Sequence, residues 1–186
     1  MGSTTPRLGH LFLYPTVIAF EWLLFAFSLW HSDAAFVGYV ARVLHHPRSL
    51  RIDIPVALLL IAIAVLLEPL MVRILGQSNS VSVEGFQPHN ALEVAMWIVM
   101  SISAGISEET VFRGYLQQQF GGWTRHSSIG IAAQDAVFGL CHAYQGWRNV
   151  VLIFVLGSVF GLFALLRKGL RANIIAHACV DILGAF

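Results

Sequence analysis

Asn149–Leu166, NVVLIFVLGSVFGLFALL, is a run of 18 residues without one charge, closed off by Arg148 on one side and Arg167 on the other. A helix of about 20 apolar residues, rising 1.5 Å per residue, crosses the roughly 30 Å hydrocarbon layer of a bilayer. In lipid a helix is favoured because it satisfies its own backbone. The stretch reads as a transmembrane span, and the rest of the chain repeats its character. Upstream lie Ile129–Ala143, which holds Asp135 and His142, and Ala91–Phe120, apolar in its first half and polar in its second. Further upstream are Pro55–Val72, with Glu68 as its only charge, and Leu11–Trp30, with Glu21 as its only charge. Ala172–Phe186 closes the chain, and Ala34–Leu44 reads as an interfacial helix. The expectation is an all-α, polytopic transmembrane helix bundle of about six spans around a buried polar site.

Composition agrees. Of 186 residues, 57% are hydrophobic and 11% charged, less than half the charge of an ordinary soluble domain, where about 25% is usual. That composition excludes intrinsic disorder and collagen-like fibres. A net charge of +1 gives no general attraction to nucleic acid. Cys141 and Cys179 are too few for a disulfide framework. The first span is too long for the apolar core of a signal peptide and lacks a basic segment before it, so it reads as retained. Pro6 stands where a myristoylation signal wants Ser or Thr.

Punctuation marks the helix ends. Pro55 suits a first helical turn, where a missing N–H costs nothing. Asn90, with Glu93 three residues later, has the pattern of a helix start. Gly157 and Gly161, four apart, let a second helix approach closely and read as packing rather than chemistry. Threading six spans with Arg42, Arg48 and Arg51 inside puts Arg125, Arg167, Lys168 and Arg171 inside as well, and Arg7, Arg73 and Arg148 outside. The positive-inside rule then places both termini outside.

The ionisable residues within these spans are functional candidates, because a charge in hydrocarbon costs at least about 2.5–3.5 kcal/mol on insertion scales and turns toward the bundle interior. Glu109 and Arg113, four apart, form a natural ion pair on one face. Glu108 points about 100° away from Glu109 and has no such partner nearby, so another helix must answer it. Asp135 and His142 share one face of their helix, and His177 and Asp181 share one face of theirs. Counted at 1.5 Å per residue from the cytoplasmic ends, Glu108 lies about 18 Å deep, His142 about 20 Å and His177 about 8 Å. A carboxylate beside an imidazole can take a proton from water and return it to a leaving amine, while a second polar pair holds the oxyanion. Alternatively Glu108, His142 and His177, with Asp181, ligate a metal that acidifies the water. No H-E-x-x-H or G-x-S-x-G occurs, and Cys141 points about 100° from His142, which disfavours a dyad between them.

Glu108-Glu109-Thr110-Val111-Phe112-Arg113 resembles the E-E-x-x-x-R motif of the CPBP family of intramembrane proteases, which includes the type II CAAX prenyl endopeptidases and bacterial relatives linked to bacteriocin processing or self-immunity. Phe138-Gly139-Leu140-Cys141-His142 resembles its F-x-x-x-H motif, with Gly146 where relatives often carry Gly, and His177 to Asp181 resembles its H-x-x-x-N or H-x-x-x-D motif. The resemblance divides the chain into N-terminal spans over 1–90 and a catalytic core over 91–186 within one integral domain. It implies a glutamate-dependent endopeptidase in the cell membrane, its site reached from the cytoplasmic side, acting on a membrane protein or lipidated peptide. Glu108 with His142 would activate water, His177 and Asp181 would stabilise the oxyanion, and Glu109, Arg113 and Phe138 would support the site. An ionised Asp181 cannot donate to an oxyanion and would need its proton or a metal. A metal-free site is preferred, with zinc on Glu108, His142 and His177 as the alternative. Two other classes compete: a non-catalytic scaffold or self-immunity protein of the same fold, and a b-type cytochrome ligated by His142 and His177, which leaves Glu108 and Arg113 without a reason.

Overall fold

The structure is a computed structural model that describes residues 8–31, 50–76 and 86–184. Among them are helices α1 (Leu8–Trp30), α2 (Leu50–Leu75), α3 (Ala91–Thr124), α4 (Ser127–Cys141), α5 (Trp147–Arg167) and α6 (Arg171–Leu183), and no strand. The expected interfacial helix over Ala34–Leu44 lies outside the described residues. Helices α1, α2, α3 and α5 are each long and apolar enough to cross a membrane; α4 and α6 are shorter. Their outer faces carry side chains no soluble protein would leave uncovered, such as Trp30 at 86%, Leu66 at 70% and Leu23 at 68% exposure. Such faces are stable against lipid tails. The chain is a polytopic helical membrane bundle.

The ends differ from the sequence reading in instructive ways. Helix α2 begins at Leu50, so Pro55 sits inside it rather than in its first turn, and Pro69 follows. Asn90 caps α3 as expected, its Oδ1 accepting from Glu93 N at 3.0 Å. The return contact differs: Glu93 accepts from the backbone N–H of His89 and from Asn90 Nδ2, each at 2.8 Å.

Close helix contacts follow from small residues. A Cβ on Gly105 of α3 would lie 2.9 Å from Ile174 O and 3.1 Å from Ala178 N, so α3 and α6 meet backbone to backbone there. On α5, Gly157 faces Asp135 and Arg113, and Gly161 faces Gln117 and Ile131. Gly146, at φ +93°, makes the turn into α5 in a region that L side chains rarely adopt. The apolar core is modest: Ala57 and Leu60 of α2, Phe160 of α5, and Ala172 and Ala176 of α6. At one end of the bundle Asp53 bridges Arg167 at 2.8 Å and Arg171 at 2.6 Å. This fixes the start of α2 beside the turn from α5 to α6.

The middle of α3 is its unusual part. Glu109–Leu116 is a π-helix flanked by α-helical turns, and Gln117 N–H donates to Phe112 O five residues back. Just before it the Ser107 hydroxyl donates to Ser103 O at 2.8 Å, and at its start the Thr110 hydroxyl donates to Ile106 O at 2.7 Å. Hydroxyls that bond carbonyls a turn back compete with the regular ladder. The widened turn aims Glu109, Arg113 and Gly114 inward together.

Candidate active site

Glu109 is the hub of the buried polar layer. It is wholly buried, and its Oε1 meets Arg113 Nη1 at 3.2 Å and His177 Nδ1 at 2.8 Å. Its Oε2 accepts from Asn173 Nδ2 at 3.2 Å, and the same amide donates to Phe160 O at 2.8 Å. Arg113 reaches on to Asp135 Oδ1 at 3.2 Å, and its guanidinium lies 4.5 Å from the Phe138 ring centre and 5.9 Å from that of Phe160. A guanidinium on an aromatic face in a dry interior gains cation–π attraction besides its ion pairs. Asp135 therefore belongs to the Arg113 network, one layer away from His142, although the two share a helix face. Gly157 is what leaves room for it.

Above that layer stand the groups suited to chemistry. Glu108, the last residue of the regular α-helical part of α3 before the π-helix, is only partly buried, and its Oε2 lies 3.5 Å from His177 Nε2. Asp181 Oδ2 lies at the same 3.5 Å from that nitrogen. The partner that Glu108 required from another helix is thus His177. Because Glu109 accepts from His177 Nδ1, that nitrogen carries a proton. A neutral ring would then turn its Nε2 lone pair toward both carboxylates. A proton on Nε2, or on one of those carboxylates, relieves this.

His142 follows the last turn of α4, and its Nδ1–H donates to Phe138 O at 2.8 Å. In the neutral ring this leaves Nε2 as the acceptor, the form a general base needs. Phe138 stands between the two imidazoles, its ring 4.8 Å from His142 and 6.3 Å from His177. Glu108 and His142 line one cavity of about 340 Å³. Its other walls are mostly apolar, from Val17 and Leu24 of α1 and Val111 and Phe112 of α3, with Tyr144 and Phe86 at its margin. The depth count that set His177 apart fails because the helices do not start from one plane. Leu170, just before α6, packs against Gly114 rather than beside Thr124, and those ten residues of α3 amount to about 15 Å.

Among the described residues, no three His, Cys, Asp or Glu side chains are arranged to hold a metal ion. The Nδ1 atoms of His142 and His177 are both engaged by oxygen acceptors. The Nε2 of His177 is the ring nitrogen that faces Glu108 and Asp181. Sequence reasoning missed Asn173, whose amide ties Glu109 to α5, and it left Glu21 without a role. Neither residue falls in a motif, although Glu21 was visible as the single charge of its span.

The sequence profile of the Rce1-like type II CAAX prenyl endopeptidases matches residues 90–183, which hold the whole polar network except Glu21. No match was found among curated proteins or among solved structures. With just over half its length in that match, this multi-pass membrane protein belongs to the Rce1-like type II CAAX prenyl endopeptidase family, within the CPBP intramembrane proteases.

Proposed function

We propose that the chain is an intramembrane endopeptidase that hydrolyses a peptide bond near the C-terminus, or within a membrane segment, of a lipidated or membrane-bound substrate protein. The observation that carries this reading is the shared cavity of Glu108 and His142, with His177 reaching Glu108 from a third helix. Glu108 and His142 remove a proton from a water molecule, and its oxygen attacks the scissile carbonyl carbon. His177, protonated at Nε2 as well as Nδ1, and a neutral Asp181 beside it donate to the oxyanion that forms. The removed proton then passes to the leaving nitrogen, the C–N bond breaks, and an acid and an amine leave. Glu109, Arg113 and Asn173 hold His177 in place and take no part in proton transfer.

The mechanism runs on side chains without zinc in this reading. Access from the cytoplasmic side is what the family resemblance implies, and the residues of 91–186 form the catalytic core on the spans of 1–90; the cavity itself is lined toward the Arg148 end, by Phe86, His142 and Tyr144. The test is mass spectrometry of membrane peptides from cells carrying the wild-type protein against cells carrying Glu108→Ala. Peptides cleaved only with the wild type support a protease and name its substrate. Identical peptide sets would leave a non-catalytic scaffold or self-immunity role for the same fold.

A further inference from the structure

Glu21 of α1 is 6% exposed, in a helix whose purpose would otherwise be apolar packing. Its Oε2 accepts from Ser103 Oγ at 3.0 Å, which joins α1 to α3. Its Oε1 accepts no hydrogen bond among the described residues and is not sealed in the interior. The side chain lines the same cavity as Glu108 and His142. An ionised carboxylate can accept about four hydrogen bonds, and one hydroxyl does little to offset its removal from water. Val17 and Leu24, a turn away on the same helix, are apolar, and among the described residues Ser103 is the one donor to it. Glu108 lines the same cavity, so two carboxylates face one space. A donor brought in by the substrate would complete what the protein leaves unfinished.

We propose that Glu21 is a substrate-binding residue, accepting a hydrogen bond at Oε1 from an N–H donor of the substrate peptide, either a main-chain amide or a side-chain amine, and so fixing the peptide's register against Glu108. This rests on the protease reading above. Glu21 takes no part in proton transfer to or from the attacking water. The first span therefore contributes to specificity, and the catalytic motifs alone do not make the whole site.

The experiment measures cleavage of a fluorescence-quenched farnesylated CAAX peptide by purified full-length protein in liposomes, for wild type, Glu21→Leu, Glu21→Gln and Ser103→Ala. Losing a hydrogen bond made equally in the bound and reacting states raises KM and leaves kcat, so Glu21→Leu raises KM about tenfold or more with kcat within about threefold. Glu21→Gln keeps an acceptor and loses the charge. A small rise in KM there identifies an amide donor, and a rise equal to that of Glu21→Leu identifies a cationic amine; both support the assignment. Ser103→Ala removes the same tie between α1 and α3 but spares the carboxylate, so it lowers thermal stability as Glu21→Leu does without the rise in KM. Unchanged KM in Glu21→Leu, or matching kinetic losses in Ser103→Ala and Glu21→Leu, overturns the assignment while leaving the protease reading intact. If the wild type cleaves neither this peptide nor any peptide in the Glu108→Ala comparison, the protease reading fails and this assignment fails with it.

Discussion

Glu108 and Glu109 are neighbours with opposite circumstances, and substitution should separate them. Glu109 is wholly enclosed by Arg113, His177 and Asn173. Removing it leaves Arg113 with Asp135 as its one carboxylate partner among the described residues and takes the acceptor from His177 Nδ1, and breaking one side of a buried pair costs about 3–5 kcal/mol. Glu109→Ala should therefore lose both accumulation and thermal stability in detergent. Glu108→Ala should accumulate normally, because Glu108 is partly open to the cavity and touches His177 only at 3.5 Å. Equal accumulation and equal melting temperatures of the two variants would show that the hub has been misplaced. Asp181 supplies the next test. If it serves as a neutral donor, Asp181→Asn keeps the donor and retains activity in protein washed free of metal by chelator. Stoichiometric zinc that tracks with activity, and loss of that zinc in Asp181→Asn, would replace this reading with a metal-bound one. These residues were legible in the sequence because ionisable side chains in apolar helices are costly and therefore few. Asn173 was not, because an uncharged amide near a helix start carries no such mark.

Elements were legible where hydrophobic runs were long, and less so at their ends. The reading of one helix over Ala91–Phe120 starts where α3 starts and stops four residues before its end at Thr124, but nothing in its periodicity announces the π-helix within it. That feature depends on hydroxyl–carbonyl competition at Ser107 and Thr110 and on the pull of partners on three other helices, which are tertiary facts. Pro55 misled for a related reason: a proline inside a membrane helix is tolerated when its surroundings make up for the lost bond, so it does not mark the start. The glycine pair of α5 was read as packing, and it is packing against a charge as well as against a helix. Gly157→Ala drives a methyl group into the Arg113–Asp135 ion pair, and overpacking of this kind costs about 1–3 kcal/mol. The variant should melt at a lower temperature than the wild type and than Gly122→Ala, where the structure leaves open space. Equal stability of the two glycine variants would mean that α5 can move away from α4 without cost.

At the scale of the whole molecule, the six helices alternate in direction, and the contacts between their ends say which ends lie together. Asp53 binds Arg167 and Arg171, so the start of α2, the end of α5 and the start of α6 share one end of the bundle. At the opposite end Gly76 lies against the Arg148 guanidinium, and Gln87 Nε2 donates to Gly184 O at 3.5 Å. The parallel run of α1 and α3 follows from Tyr14 packing on Trp97 and Glu21 bonding to Ser103. The first of these ends also carries Arg51 and Lys168, and the hairpin between α3 and α4 adds Arg125 on the same side. Cationic loops stay on the cytoplasmic side, so this end should face the cytoplasm and the Arg148 end should face out. Two exposed positions report on it: His126, beside Arg125, and Trp147, beside Arg148. With Cys141 and Cys179 replaced by Ser, a membrane-impermeant maleimide should label Trp147→Cys in cells with an intact plasma membrane. It should label His126→Cys only after that membrane is opened. The reverse pattern would invert the bundle, put the Arg167–Arg171 turn outside, and turn the end of the Glu108 cavity lined by Phe86, His142 and Tyr144 toward the cytoplasm.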